Sequence, residues 1–397
     1  MKSVIKSWLA IVTCMSVCIG GLVWAEQDAT PSSELKAQLG QQLFFDPNLS
    51  FNRTMSCATC HAPADGFVDH RSPDVGMAAS LGDDAKSFGD RNAPSVGYAA
   101  FAPKFHRRKD GIYAGGQFWD GRASTLAEQA GGPPLNPIEM GMPDKTSVVE
   151  RLLENSHYQS AFKGIYGDAV FQDHDTAYDA MTDAIAEFEK GDFFSPFDSK
   201  YDRYLRGEYT MTPQEELGRT LFFSQQFTNC NLCHQLRTTP NRADETFTNY
   251  QYHNIGVPEN THLRHKNGVK AIDEGLLNNP AVEQDVAARG KYKTPSLRNV
   301  AVTAPYMHNG TFKDLRTVIL FYNKYNSRSK KRQINPETGK PWRAPEVNEN
   351  LSLTELETGP ALDDKRIDAL VAFLETLTDK RYEALLEKQK SKKKGAQ

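Results

Sequence analysis

Four cysteines carry the first chemical signal. Cys14 and Cys18 lie in an apolar N-terminal stretch, which leaves Cys57, Cys60, Cys230 and Cys233 in the rest of the 397-residue chain. Each pair is followed at once by a histidine: Cys57-Ala-Thr-Cys60-His61 and Cys230-Asn-Leu-Cys233-His234. Two thiols one helical turn apart can reach the two vinyl groups of one porphyrin as thioethers, and the next residue then places an imidazole under the iron. A thioredoxin-like redox pair, a zinc site built from both pairs, or structural disulfides would use the same cysteines. None of these requires a histidine directly after both pairs. The pattern therefore predicts two covalently attached c-type haems, with His61 and His234 as proximal ligands.

The elements that must position these motifs occur twice. Leu39-Gly40-Gln-Gln-Leu43-Phe44-Phe45 precedes the first motif and Leu217-Gly218-Arg-Thr-Leu221-Phe222-Phe223 the second, each with apolar residues at helical spacing. Beyond the motifs, Ala93-Pro94-Ser95-Val96 leads to Phe118-Trp119-Asp120-Gly121 and Thr125-Leu126. In the same order, Thr294-Pro295-Ser296-Leu297 leads to Tyr306-Met307-His308-Asn309-Gly310 and Asp314-Leu315. Ala177, Met181, Ala184, Ile185 and Phe188 predict a helix closing the first unit, and Ile367, Leu370, Val371, Leu374 and Leu377 one closing the second. Strand signals are sparse. The expected fold is mostly α, two cytochrome c-like domains related by duplication, over residues 26–210 and 211–387. They join near Tyr209-Thr-Met-Thr-Pro213, where Thr212 caps the next helix. The Gly-, Pro- and Asp-rich segments 83–113 and 326–359 are expected to be ordered by packing on the haems.

Axial ligation decides the chemistry, because an electron carrier fills both axial positions of its iron whereas peroxide activation needs one open. In the duplication, the residue seven after each repeat's leucine is Pro133 (after Leu126) and Tyr322 (after Leu315). Proline has no group that binds iron. If this position lies above the haem, the first unit is open and the second is closed by a phenolate. Met307 is the competing ligand for the second haem, but it aligns internally with Trp119.

At this point the chain resembles the bacterial di-haem cytochrome c peroxidases and their MauG branch, over essentially all of the sequence past its leader. The landmarks are both haem motifs, Arg91-Asn92-Ala-Pro94, Gln117-Phe-Trp119-Asp-Gly-Arg122, Ile138-Glu139-Met140 and Thr303-Ala-Pro305-Tyr-Met-His308-Asn-Gly310. The resemblance implies that Glu139 and Gln129 sit on the distal side of the first haem, Glu139 moving peroxide's proton between its oxygens. It also implies that Trp119 relays electrons between the haems and that Asn92, Thr303 and Pro305 hold a calcium ion by oxygen ligands.

Two departures from the peroxidases lead toward the MauG branch. Tyr322 stands where peroxidases usually place methionine, and the loop 76–91 lacks the histidine that caps their resting first haem. An anionic oxygen ligand favours higher oxidation states of iron, so the second haem is expected to store oxidising equivalents. The resemblance then implies oxidation of tryptophans in a methylamine dehydrogenase precursor by hydrogen peroxide, or by oxygen plus electrons, completing tryptophan tryptophylquinone. The branch's surface tryptophan, two residues before the first cysteine of the second motif, is here Thr228, with Phe227 beside it. The other readings are a hydrogen peroxide reductase fed by a small cytochrome or cupredoxin, and a non-enzymatic electron carrier.

Composition agrees with an exported redox protein. Lys2 and Lys6 precede an apolar run that ends Val23-Trp24-Ala25, the pattern of a secretory leader over residues 1–25, which predicts a periplasmic protein with no membrane span after cleavage. Loss of the two leader lysines moves the formal charge from -3 to about -5, and nothing in it points to nucleic acid. The basic run at 388–397 is expected to be a solvated tail.

Overall fold

The computed structural model describes residues 31–235, 243–282 and 284–395; the expected leader lies outside these described residues. The fold is mostly helical. Among the described residues its sheets are three two-residue antiparallel pairs: His106–Arg107 with Tyr113–Ala114, Tyr252–His253 with Tyr292–Lys293, and Ile334–Asn335 with Lys340–Pro341.

Both Leu-Gly phrases form helices that cross a later helix at close range. Pro31–Phe44 packs on His174–Glu189, and Pro213–Phe223 packs on Asp364–Glu375. A Cβ placed on Gly40 would lie 1.9 Å from the Ala184 carbonyl oxygen, and one on Gly218 would lie 1.9 Å from that of Ala369. The partner's backbone thus fills the space a side chain would need, at equivalent points of the two halves. Leu39, Leu43, Phe44, Met181, Ile185 and Phe188 bury one core around the first crossing. Leu221, Phe222, Ile367, Leu370, Phe373 and Leu377 bury another around the second. Replacing Gly218 with alanine should push the helices apart and lower stability by about 1–3 kcal/mol, the usual cost of overpacking. Chemical denaturation would show it as a lower midpoint, and an unchanged midpoint would contradict so tight a crossing.

The chain passes from one core to the other through the short helix Lys200–Leu205 and the segment 209–213. The Thr212 hydroxyl accepts from the Glu215 N–H at 3.3 Å, and the Glu215 carboxylate accepts from the Thr212 N–H at 2.7 Å. This reciprocal cap starts the second unit's first helix where the sequence places it. Arg298, in the second half, anchors the connecting helix. Its buried guanidinium donates to Asp202 at 2.6 and 3.0 Å and lies over the rings of Tyr98, Phe197 and Phe247.

The long irregular segments carry their own polar anchors, beyond the haem packing expected of them. The Asp83 carboxylate accepts from the Ser50 hydroxyl, the Asn52 N–H and the Thr54 hydroxyl. The Asn254 amide donates to the carbonyls of Val347 and Glu349. The basic C-terminal run belongs to the helix Glu383–Gly395, with Lys388, Ser391, Lys392 and Lys393 exposed to solvent. Its first turns bury Leu386 against Val302 and Tyr382, and Lys390 pairs with Glu375 at 2.9 Å, which carries the helix on into the lysine-rich run. No helix of the described residues is long and apolar enough to cross a membrane.

Candidate active site

Each Cys-x-x-Cys-His motif opens onto its own cavity. Cys60 and His61 line one, and Cys230, Cys233 and His234 line another, both partly open to solvent. None of the four cysteines is in a disulfide, and the separation of the motifs into two cavities excludes a zinc site shared between them. His61 Nδ1 lies 3.3 Å from the Phe67 carbonyl oxygen and His234 Nδ1 lies 3.2 Å from that of Phe247. A carbonyl at Nδ1 fixes the proton there and leaves the Nε2 lone pair for iron. Paired thiols, an oriented imidazole and a cavity at each motif fit a c-type haem.

The linings of the two cavities differ at the positions related by the duplicated spacing. The helix Leu126–Ala130 is capped by Thr125 and the helix Leu315–Asn323 by Asp314. Seven residues beyond each leading leucine, Pro133 lines the first cavity and Tyr322 the second. Met307 also lines the second cavity. Gln129 and Glu139 join Pro133 in the first. Glu139 accepts a hydrogen bond from the Asn136 side-chain amide at 3.0 Å, and burial pushes its carboxyl above the usual carboxylate range against the pull of Arg122.

Among the described residues, Trp119 is the one side chain that lines both cavities. Its indole N–H donates to the Asn92 carbonyl at 2.8 Å. The Asn92 backbone N–H in turn donates to the His308 carbonyl at 2.7 Å, so the Asn92 segment is bound to the loop that follows Thr303 and Pro305. The Asn92 side-chain amide makes only long contacts, at 3.4 and 3.5 Å, to the carbonyls of Ala78 and Met77.

Known proteins resemble this chain. The family described as di-haem cytochrome c peroxidase matches residues 34–210. The chain is 54% identical to methylamine utilization protein MauG of Paracoccus denitrificans over 97% of its own length and 99% of that protein. It is 35% identical to the cytochrome c peroxidase Ccp of Escherichia coli, over 70% of this chain and 51% of that protein. Among solved structures, the diheme peroxidase BthA of Burkholderia thailandensis superposes with a TM-score of 0.76 at 34% identity, covering 87% of this chain and 86% of that one.

The chain belongs to the di-haem cytochrome c peroxidase and MauG family. As a member it carries two covalently attached c-type haems and is a haem-dependent oxidoreductase of the peroxidase type.

Several contacts of this di-haem site escape a reading by motif. Arg91 links the two halves: its guanidinium donates to Asp273 at 2.6 Å through two nitrogens and to Asp120 at 2.7 Å. Against the cost of burial, those bonds hold the Asp273 carboxyl well below the usual carboxylate range. Arg91, Arg122 and Arg264 all line the first cavity and bring cations suited to porphyrin carboxylates. Lys293 lines the second, its backbone N–H donating to the Trp119 carbonyl at 2.9 Å, and burial pushes its ammonium down to about 8. The ring of His308 stacks on Tyr292 with centres 3.6 Å apart.

Glu189 is the least expected of these residues. It lines the first cavity at 3% exposure, its Oε2 has no hydrogen-bond partner, and burial alone pushes its carboxyl up to about 8. Aligning the crossings at Ala184 and Ala369 sets it opposite Leu374, which lines the second cavity. A carboxyl buried without a partner costs about 1–3 kcal/mol. Glu189→Leu should therefore stabilise the haem-loaded protein by an amount of that order, read as a higher denaturation midpoint. A lower midpoint would show that the carboxyl has a stabilising partner in the loaded site.

Proposed function

We propose that this chain is a MauG-type maturation enzyme of the periplasm, exported by its 1–25 leader. In this reading it uses hydrogen peroxide to oxidise tryptophans of a methylamine dehydrogenase precursor and so completes tryptophan tryptophylquinone in that partner. The observation that carries the reading is the pair of cavity walls, with Pro133 at the position where the other unit has Tyr322. Similarity to methylamine utilization protein MauG along nearly the whole of both chains supports it.

In this reading residues 26–210 would hold the peroxide-reactive haem and residues 211–387 the second one. Cys57 and Cys60, and Cys230 and Cys233, would attach them as thioethers, and His61, His234 and Tyr322 would be the side chains that bind iron. Bound there, the haems supply the redox chemistry that takes two electrons for each peroxide reduced to two waters. The chain's own groups handle protons and orientation. Glu139 accepts the proton from one peroxide oxygen and returns it to the other, a transfer helped by a carboxyl whose affinity for protons burial has raised. Gln129, in the same cavity, would orient peroxide by hydrogen bonding, and Pro133 would bring no iron-binding group to that cavity's lining. Trp119, the wall common to both cavities, conducts electrons between them. Asn92, Thr303 and Pro305 supply oxygens for a calcium ion near the junction, where the Asn92 amide has only long contacts.

The second reading is a peroxide reductase fed by a small electron-transfer protein, favoured by the likeness to the peroxidases Ccp and BthA. The deciding experiment supplies peroxide to the two-haem protein with either the methylamine dehydrogenase precursor or a reduced small cytochrome. Formation of quinone in the precursor, with slow turnover of the cytochrome, is the expected result. Rapid cytochrome oxidation with an unmodified precursor would overturn the maturation reading.

A further inference from the structure

Trp119 and Trp342 are the two tryptophans within the described residues. Trp119 lies between the cavities. Trp342 lies behind the second one, at the end of a row of rings that begins on the cavity wall. Tyr322 lines that cavity, its ring centre 6.1 Å from that of the fully buried Phe321, and Phe321 is 5.6 Å from Trp342. Both contacts are edge-on, with interplanar angles of 72°. Trp342 is partly exposed, just after the short hairpin strand Lys340–Pro341, and its indole N–H is anchored on the Arg332 carbonyl at 2.8 Å. The row therefore runs without a gap from the cavity to the surface.

We propose that Trp342 is the port through which a protein donor delivers electrons to the second haem, and that the donor docks there with an acidic face. This rests on the reading above that Tyr322 belongs to the second haem's site. Electron tunnelling favours contiguous side chains over gaps, and indole is far easier to oxidise than a benzene ring. Phe227 is the exposed aromatic on the second cavity's rim and lacks that property. Phe321 conducts without being oxidised itself. Lys324 lies 4.0 Å over Phe321 and 5.9 Å over Trp342. Its charge makes a hole on Trp342 costly and so keeps the indole reduced until peroxide has supplied the oxidant.

The surroundings define the partner's charge. Arg328, Lys330, Lys340 and Arg343 are exposed along the loop that carries Trp342, and Lys331 is exposed there too but pairs with Asp364 at 3.4 Å. Within 328–343 the one carboxylate is Glu337, which is taken up by the backbone N–H groups of Lys313 and Asp314. Such a rim steers an acidic surface onto the indole and repels a basic one. Each transfer moves one electron from a donor side chain to Trp342 and on to the haems. Two transfers and two protons balance the reduction of one peroxide to two waters.

The test uses the two-haem holoprotein with Trp342→Phe, Trp342→Tyr and the double variant Lys330→Glu, Lys340→Glu. With peroxide and the methylamine dehydrogenase precursor, Trp342→Phe should slow oxidation of the precursor by an order of magnitude or more, and Trp342→Tyr should restore part of the rate. The second haem's absorption spectrum and turnover with hydroquinone, which needs no docking face, should stay as in the parent. The charge reversal should raise KM for the precursor and flatten its dependence on salt. With peroxide and no donor, peptide mapping of the parent should find oxygenated Trp342. Unchanged precursor rates in Trp342→Phe together with unmodified Trp342 would overturn the proposal. If the parent leaves the precursor unmodified, the maturation reading fails. The port is then decided by peptide mapping and by a reduced acidic c-type cytochrome as donor: slowing in Trp342→Phe supports it, and an unchanged rate refutes it.

Discussion

Exchange of Glu139 for glutamine should leave both haems attached and slow the reaction with peroxide by on the order of a hundredfold or more, the usual worth of a positioned general acid and base. The amide keeps the size of the side chain and the hydrogen bond with Asn136, since a glutamine carbonyl still accepts. It cannot carry a proton from one oxygen of peroxide to the other. The parent should also show a pH dependence that the variant lacks. Peroxide gives its proton to the carboxylate, so the rate rises with pH as Glu139 ionises, and burial sets that rise above the ordinary carboxylate range. Stopped-flow rates across pH would check both points. Parent-like rates in Glu139→Gln, or the same rising limb in both proteins, would remove this residue from the proton transfer.

Replacement of Tyr322 should have the second large effect. Tyr322→His or Tyr322→Lys supplies another ligand, so the second haem should stay six-coordinate and low-spin while its potential moves and oxidation of a protein substrate falls to background. Tyr322→Phe supplies none and should change the low-spin spectrum itself. Absorption and electron paramagnetic resonance spectra, with the rate of precursor oxidation, separate these outcomes. A Tyr322→Phe protein that kept the parent's spectrum and still oxidised the precursor would move the ligand to Met307, which lines the same cavity, and would favour the small-donor peroxidase.

These two residues also show what was legible in the sequence. Tyr322 and Pro133 stand out because a repeat turns equal spacing into equal position, and both leading leucines do start helices beside their cavities. Thr212 was legible because a helix cap is written within four residues. Glu139 and Gln129 needed the family likeness, since a lone carboxylate in a turn or a lone amide in a five-residue helix carries no period. The bond from Arg91 to Asp273 spans 182 positions, so no local pattern announces it. Glu189 was hidden for the opposite reason. It follows Phe188 in a helix whose apolar stripe was read correctly, and only the cavity reveals that the next residue carries a buried carboxyl in place of the leucine of the other half. The C-terminal helix was missed because composition alone reads a lysine run as a tail, while Leu386 and Glu375 lie outside that run and give it something to hold.

Trp119 has one further consequence. It alone lines both cavities among the described residues, so on the proposed reading it would wire the two redox centres in series. In a series circuit the weakest conductor governs the current, and faults at either end are felt at the other. A lesion at this indole should therefore reproduce, from the middle of the molecule, the loss caused by damage at either haem. Two otherwise intact centres would then behave as two separate cytochromes sharing one chain.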